Sequence, residues 1–139
     1  MKMKYMNIKI VLLFLISLNS YGECINNDNT FCNVKYIKNY DGDSITVDIP
    51  NTHPILGKNA KIRLFGLDTP ELRTKDKCEK AKGRIAKKLV MKELQKAEYI
   101  NLLNIKRGKY FRIVASIQYK INGRVKDLTQ VLIKNKLGY

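Results

Sequence analysis

From Phe31 to Tyr40 apolar and polar positions alternate, and they alternate again from Ser44 to Ile49, where Ile45, Val47 and Ile49 share one face. A period of two is the signature of a half-buried strand. Asp41-Gly42-Asp43 lies between the runs and has turn chemistry, so the two strands form a hairpin. Pro50 to Asn59, with its prolines and glycine, reads as a loop, and Lys61 to Leu67 as a third strand. The period then changes. Ala81, Ile85, Leu89, Val90 and Leu94 trace the stripe of an amphipathic helix over Glu79 to Lys96. Two more strands follow, Tyr99 to Ile105 and Tyr110 to Tyr119, joined by the basic turn Lys106-Arg107-Gly108-Lys109. After the turn Asn122-Gly123, residues Leu128, Val131, Leu132 and Leu137 predict a short closing helix.

The order is three strands, a helix, two strands and a helix, with no repeat or linker. This predicts a mainly β fold with helices (α+β). Specifically, it is a five-stranded OB-fold barrel with a helix between strands 3 and 4 and a short C-terminal helix. Such barrels often bind oligonucleotides, but a fold does not fix a function.

The apolar run Ile10 to Ile16, extended through Leu18, follows Lys2, Lys4 and Lys9 and precedes Ser20-Tyr21-Gly22. It is shorter than the roughly 20 residues that span a bilayer, and its layout is that of a secretory signal. The expected organisation is a signal peptide over 1–22 and one domain over 23–139, secreted to an extracellular or periplasmic space. No membrane span is expected after cleavage. The leader carries three lysines and no acid, so cleavage lowers the formal charge from +15 to +12. For one small domain, that much positive charge points to a polyphosphate partner. Neither mature helix has the bulky aromatic face of an interfacial helix, which favours nucleic acid over membrane. Cys24, Cys32 and Cys78 allow three single-bridge pairings. With no CxxC and a single histidine in a proline loop, His53, a zinc site is not expected.

The chemistry concentrates in Ile62-Arg63-Leu64-Phe65-Gly66-Leu67-Asp68-Thr69-Pro70-Glu71. Asp43 ends the hairpin turn and Asp68 ends the third strand, so an antiparallel meander brings both to one end of the barrel. Two close carboxylates repel unless one is protonated or a cation lies between them, and a hard divalent cation suits their oxygens. Arg63, and Arg112 on the fifth strand, offer guanidinium forks to a phosphate. Glu71 remains to take a proton from water. These are the parts of phosphodiester hydrolysis.

Three segments then carry a resemblance: Tyr40-Asp41-Gly42-Asp43-Ser44, the stretch from Ile62 to Glu71, and Lys109-Tyr110-Phe111-Arg112-Ile113-Val114-Ala115. In order and spacing, from about Val34 to Leu137, the chain resembles the staphylococcal (thermo)nuclease family of calcium nucleases. The resemblance implies calcium (Ca2+) as cofactor, held by Asp43, Asp68 and the Thr69 carbonyl, with Asp41 as a further acid near the metal. It implies Arg63, Glu71 and Arg112 as catalytic residues, and Lys109 and Tyr110 as contacts to a neighbouring phosphate. The expected activity is sugar-nonspecific endonuclease cleavage of DNA and RNA by a monomer with no protein partner. A noncatalytic nucleic-acid-binding OB-fold module is the alternative. Ser44 stands where the family usually has threonine, and Phe111 where many members have glycine. Members usually continue beyond the position of Tyr139 into a further helix, so a low melting temperature is expected without ligands.

Overall fold

The structure, a computed structural model, describes residues 23–139; the expected signal peptide over 1–22 lies outside them. Its strands are β1 (Thr30–Phe31), β2 (Lys35–Asn39), β3 (Ser44–Asp48), β4 (Ala60–Leu64), β5 (Tyr99–Arg107), β6 (Ile113–Ile121) and β7 (Arg124–Asp127). Its helices are α1 (Pro54–Gly57), α2 (Lys77–Gln95) and α3 (Leu128–Lys134). The strands form one mixed sheet in the order β1-β5-β6-β4-β3-β2, with β7 paired to β6. All neighbours are antiparallel except β4 and β6, which run parallel.

The strand count therefore differs from the expected five, and the hydrogen-bonded path stays open. Two local causes account for the difference. Asn33 takes a left-handed backbone, φ 54°, and splits the first run into β1 and β2, which lie at opposite ends of the sheet path. Asn122 and Gly123 are also left-handed, at φ 50° and 72°, and such a two-residue turn matches the twist of a hairpin. It returns the chain as β7, with Ile121 opposite Arg124. The Pro50 to Asn59 loop contains one short turn of helix, α1.

Helix α2 begins where Asp76 caps it, its carboxylate accepting from the backbone of Cys78 (2.7 Å) and Glu79 (3.0 Å). Its buried face is Gly83, Ala86, Val90 and Leu94, whereas Ala81 and Ile85 of the expected stripe are exposed. Small residues occupy the buried phase because this face presses closely on the loops it supports. A Cβ on Gly83 would come within 2.6 Å of the Pro70 carbonyl. A Cβ on Gly42 would meet Thr69 Cγ2 at 2.7 Å and Ala86 Cβ at 2.9 Å. Both carboxylate-bearing loops are thus seated on one helix.

The core gathers inward positions of the sheet, among them Val47, Ile62, Leu64, Leu102 and Ile117, beneath α2 and α3. Buried Tyr119 donates from its hydroxyl to Glu93 (2.6 Å), which also accepts from Lys126 (2.9 Å), tying α2 to β6 and β7. Burial alone would raise the Glu93 pKa, but the bonds from Tyr119 and Lys126 bring it below the usual glutamate value. A carboxylate with a depressed folded pKa stabilises the protein above its unfolded pKa and loses that contribution as pH falls through the folded value. The melting temperature should therefore decline below about pH 4.5, and Glu93→Gln should flatten that decline. An acid limb unchanged by Glu93→Gln would show the triad adds nothing.

Cys24 is bonded to Cys32, closing one of the three possible pairings, and Cys78 is free and exposed. Among the described residues, no helix is long and apolar enough to cross a membrane.

Candidate functional site

The β3–β4 pairing aligns Ser44 with Arg63, which sets the Asp41–Asp43 turn beside the end of β4. Leu64 donates its backbone N–H to the Asp43 carbonyl (2.8 Å), fixing that turn to β4. The Asp43 side chain is only 6% exposed, so its charge needs compensation there. It has four donors. Arg63 Nη1 (2.9 Å) and Ser44 Oγ (3.0 Å) reach Oδ1, and the Thr69 backbone N–H (3.0 Å) and Oγ1 (3.2 Å) reach Oδ2. Arg63 also donates from Nη2 to Asp68, whose side chain is 64% exposed. One guanidinium therefore bridges the two carboxylates that the sequence expects to converge.

Asp41 accepts from the Asp43 backbone N–H through Oδ1 (3.1 Å). Its pKa is raised, first by burial and then by the nearby Asp43 charge. Asp41, Asp43, Arg63, Asp68, Thr69 and Glu71 together line a cleft of about 380 Å³. Glu71 sits at its exposed rim, its backbone N–H held by Glu79 of α2 (3.3 Å). Across the rim, the Arg73 guanidinium lies 5.4 Å from the centre of the Tyr40 ring. Asp68 and Tyr139 exchange two backbone bonds, each 3.1 Å.

Arg112, Lys109 and Tyr110 lie elsewhere. Arg112 falls just before β6 rather than within a strand, and it is exposed. The parallel register opposes Arg63 to Val114, two residues beyond Arg112. Arg112 and Arg63 consequently share a depression of about 510 Å³ adjoining the cleft, with Tyr40 common to both hollows. Lys109 and Tyr110 belong to the exposed turn between β5 and β6, outside the residues lining the cleft.

The oxygen donors around the cleft suit a hard cation. Among the described residues, no group of three or more His, Cys, Asp or Glu side chains is placed to hold a metal ion. The chain can offer Asp43, Asp68 and backbone oxygen, leaving water to complete a coordination shell. Arg63 now supplies the positive charge between the acids. A cation would have to share or take that place, and exposed Asp68 is the ligand freest to move.

One contributor is not evident from the motifs. Buried Asn39 donates from Nδ2 to the Asp41 carbonyl (2.7 Å) and the Lys87 carbonyl of α2 (3.0 Å), and accepts from the Tyr36 hydroxyl. It pins the acidic turn to the helix. Only a polar residue at an inward strand position signals this in the sequence. Asn39→Ala is expected to destabilise the domain by about 1–3 kcal/mol, because two part-buried carbonyls lose a donor. Thermal or denaturant unfolding measures it, and a change below about 0.5 kcal/mol would show that water replaces the amide.

Compared with known families, residues 61–138 match the model described as staphylococcal nuclease homologue. No curated protein matches the chain.

Proposed function

The chain belongs to the staphylococcal nuclease homologue family, and from that premise we propose that its acidic cleft performs calcium-dependent hydrolysis of phosphodiester bonds in DNA and RNA. The observation that carries this reading is the bridging of Asp43 and Asp68 by Arg63, with Glu71 on the rim of the same cleft. Asp43, Asp68 and the Thr69 carbonyl are the groups that would hold calcium. When bound, the cation supplies Lewis-acid polarisation of a phosphoryl oxygen.

The chain's own residues supply the rest. Asp41 keeps the turn bearing Asp43 in shape through its bond to the Asp43 backbone. Glu71 removes a proton from the attacking water, a role open to an exposed carboxylate at the rim. Arg63 and Arg112, facing one depression beside the cleft, receive the phosphate and offset the charge that grows during attack. Lys109 and Tyr110 meet a neighbouring phosphate. The strongly positive charge that remains after the leader's three lysines are removed draws the polyanion in.

The finer fold reading, a five-stranded OB barrel, is supported by the placement of β1 and β2. These successive pieces of one run pair with β5 and β3, and Val34 between them donates to the Ile100 carbonyl of β5 (2.9 Å). Cleavage after Gly22 and secretion as a monomer complete the proposal. Incubation with DNA and with RNA in calcium tests it, both being cut if the proposal holds. Binding of either polymer without cleavage would favour the noncatalytic module.

A further inference from the structure

Away from the cleft, a groove of about 730 Å³ runs between α1 and the turn joining β5 to β6. Its walls are unusually apolar for a surface so basic. Ile55 is 84% exposed, Tyr110 87% and Phe111 82%, with Leu56 also bare to solvent. Tyr110 and Phe111 take left-handed backbones, φ 57° and 58°. For two adjacent bulky residues this conformation is strained, and such strain is concentrated at functional positions. The turn is closed by Gly108 N–H donating to the Arg112 carbonyl (2.8 Å), which holds both aromatic side chains outward, where neither joins the core.

Cations run along the same walls: Lys61, Lys106, Arg107 and Arg112, against one acid, Asp28. The Arg107 guanidinium lies 5.5 Å from the centre of the Phe111 ring. Lys61 and Arg112 also line the depression next to the cleft, so the groove continues from the candidate reaction centre. Aromatic and apolar faces interleaved with cations match single-stranded nucleic acid, whose bases stack while its phosphates pair with the cations. A duplex keeps its bases inside. A lipid surface would suit the same residue types, but a concave wall fits a strand better than a flat bilayer.

We infer that this groove binds the bases of an unpaired strand leading away from the cleft, with Ile55, Leu56 and Phe111 as the apolar contacts. The inference rests on the proposed nuclease reading for its orientation, because the strand would enter the cleft at its Arg112 end.

The test is fluorescence anisotropy with labelled dT2 and dT8 in calcium, in a Glu71→Gln background so that the strands persist. Two variants are compared, Phe111→Ser and the pair Ile55→Ser with Leu56→Ser, all at exposed positions, with melting temperatures recorded. Phe111→Ser should weaken dT8 binding by about five- to 150-fold, the range for losing one stacked base, the Ile55 and Leu56 pair should also weaken it, and both should leave dT2 binding unchanged. Unchanged dT8 affinity in both folded variants would overturn the inference. So would unchanged dT8 affinity alongside lost binding to phosphatidylserine vesicles, which would assign the groove to a membrane. Failure of the unmutated protein to cut dT8 would sink the nuclease reading instead, while the binding comparison would still decide the groove.

Discussion

Glu71→Gln is expected to lower turnover by about 10²–10⁴-fold, the usual contribution of a positioned general base, with calcium and oligonucleotide binding retained. The reason is local. No hydrogen bond or ion pair engages the Glu71 carboxylate among the described residues, whereas its backbone is anchored to Glu79. The substitution therefore removes a proton acceptor from the cleft rim and disturbs little else. Stability should change by less than about 0.5 kcal/mol, as for an ordinary surface site. Single-turnover cleavage, a binding isotherm and a melting curve on one preparation separate these quantities. Near-normal turnover would make Glu71 a loop residue and place the base elsewhere.

Arg63→Ala is expected to affect three measurements in different directions. Cleavage should fall about 10²–10³-fold, the typical effect of removing one donor from a developing negative charge. Apo stability should fall by about 1–3 kcal/mol, because nearly buried Asp43 loses its cationic partner while keeping the Thr69 and Ser44 donors. The half-exposed setting of the guanidinium keeps this below the cost of breaking a fully buried pair. Calcium affinity should hold or rise, since Arg63 no longer competes for Asp43 and Asp68. Calorimetric titration reads that last effect. Calcium binding lost together with Arg63 would mean the arginine positions the acids rather than occupying the cation's place.

Much of this arrangement was legible in the sequence, for identifiable reasons. The pairing of Ser44 with Arg63 follows from the hairpin pattern and the third strand, and it suffices to bring Asp43 to Arg63. Helix α2 is legible because its period is carried by local residues: Leu89, Val90 and Leu94 of the expected stripe lie in or against the core, and only Ala81 and Ile85 are exposed. The residues pressed against the site loops are Gly83 and Ala86, whose small size, rather than an apolar signal, permits the close approach. Arg112 was expected in a strand because Tyr110 and Phe111 have high β propensity. The structure gives them left-handed turn backbones instead, and β6 starts only at Ile113. Propensity describes what fits a half-buried pleat and cannot anticipate aromatic residues held out in solvent. Asn39 gives only the weak signal of an inward polar residue, because one of its partners lies 48 residues away on α2.

The most direct measurement of the central claim is the initial rate of cleavage of a labelled DNA strand against calcium concentration, before and after adding chelator. With two carboxylates and a carbonyl from the protein, half-saturation is expected at about 10⁻⁴ to 10⁻³ M, as for extracellular calcium modules. The rate should vanish with chelator and return when calcium is restored. Cleavage that continues undiminished in chelator would contradict the assignment of Asp43, Asp68 and Thr69 to a catalytic calcium site.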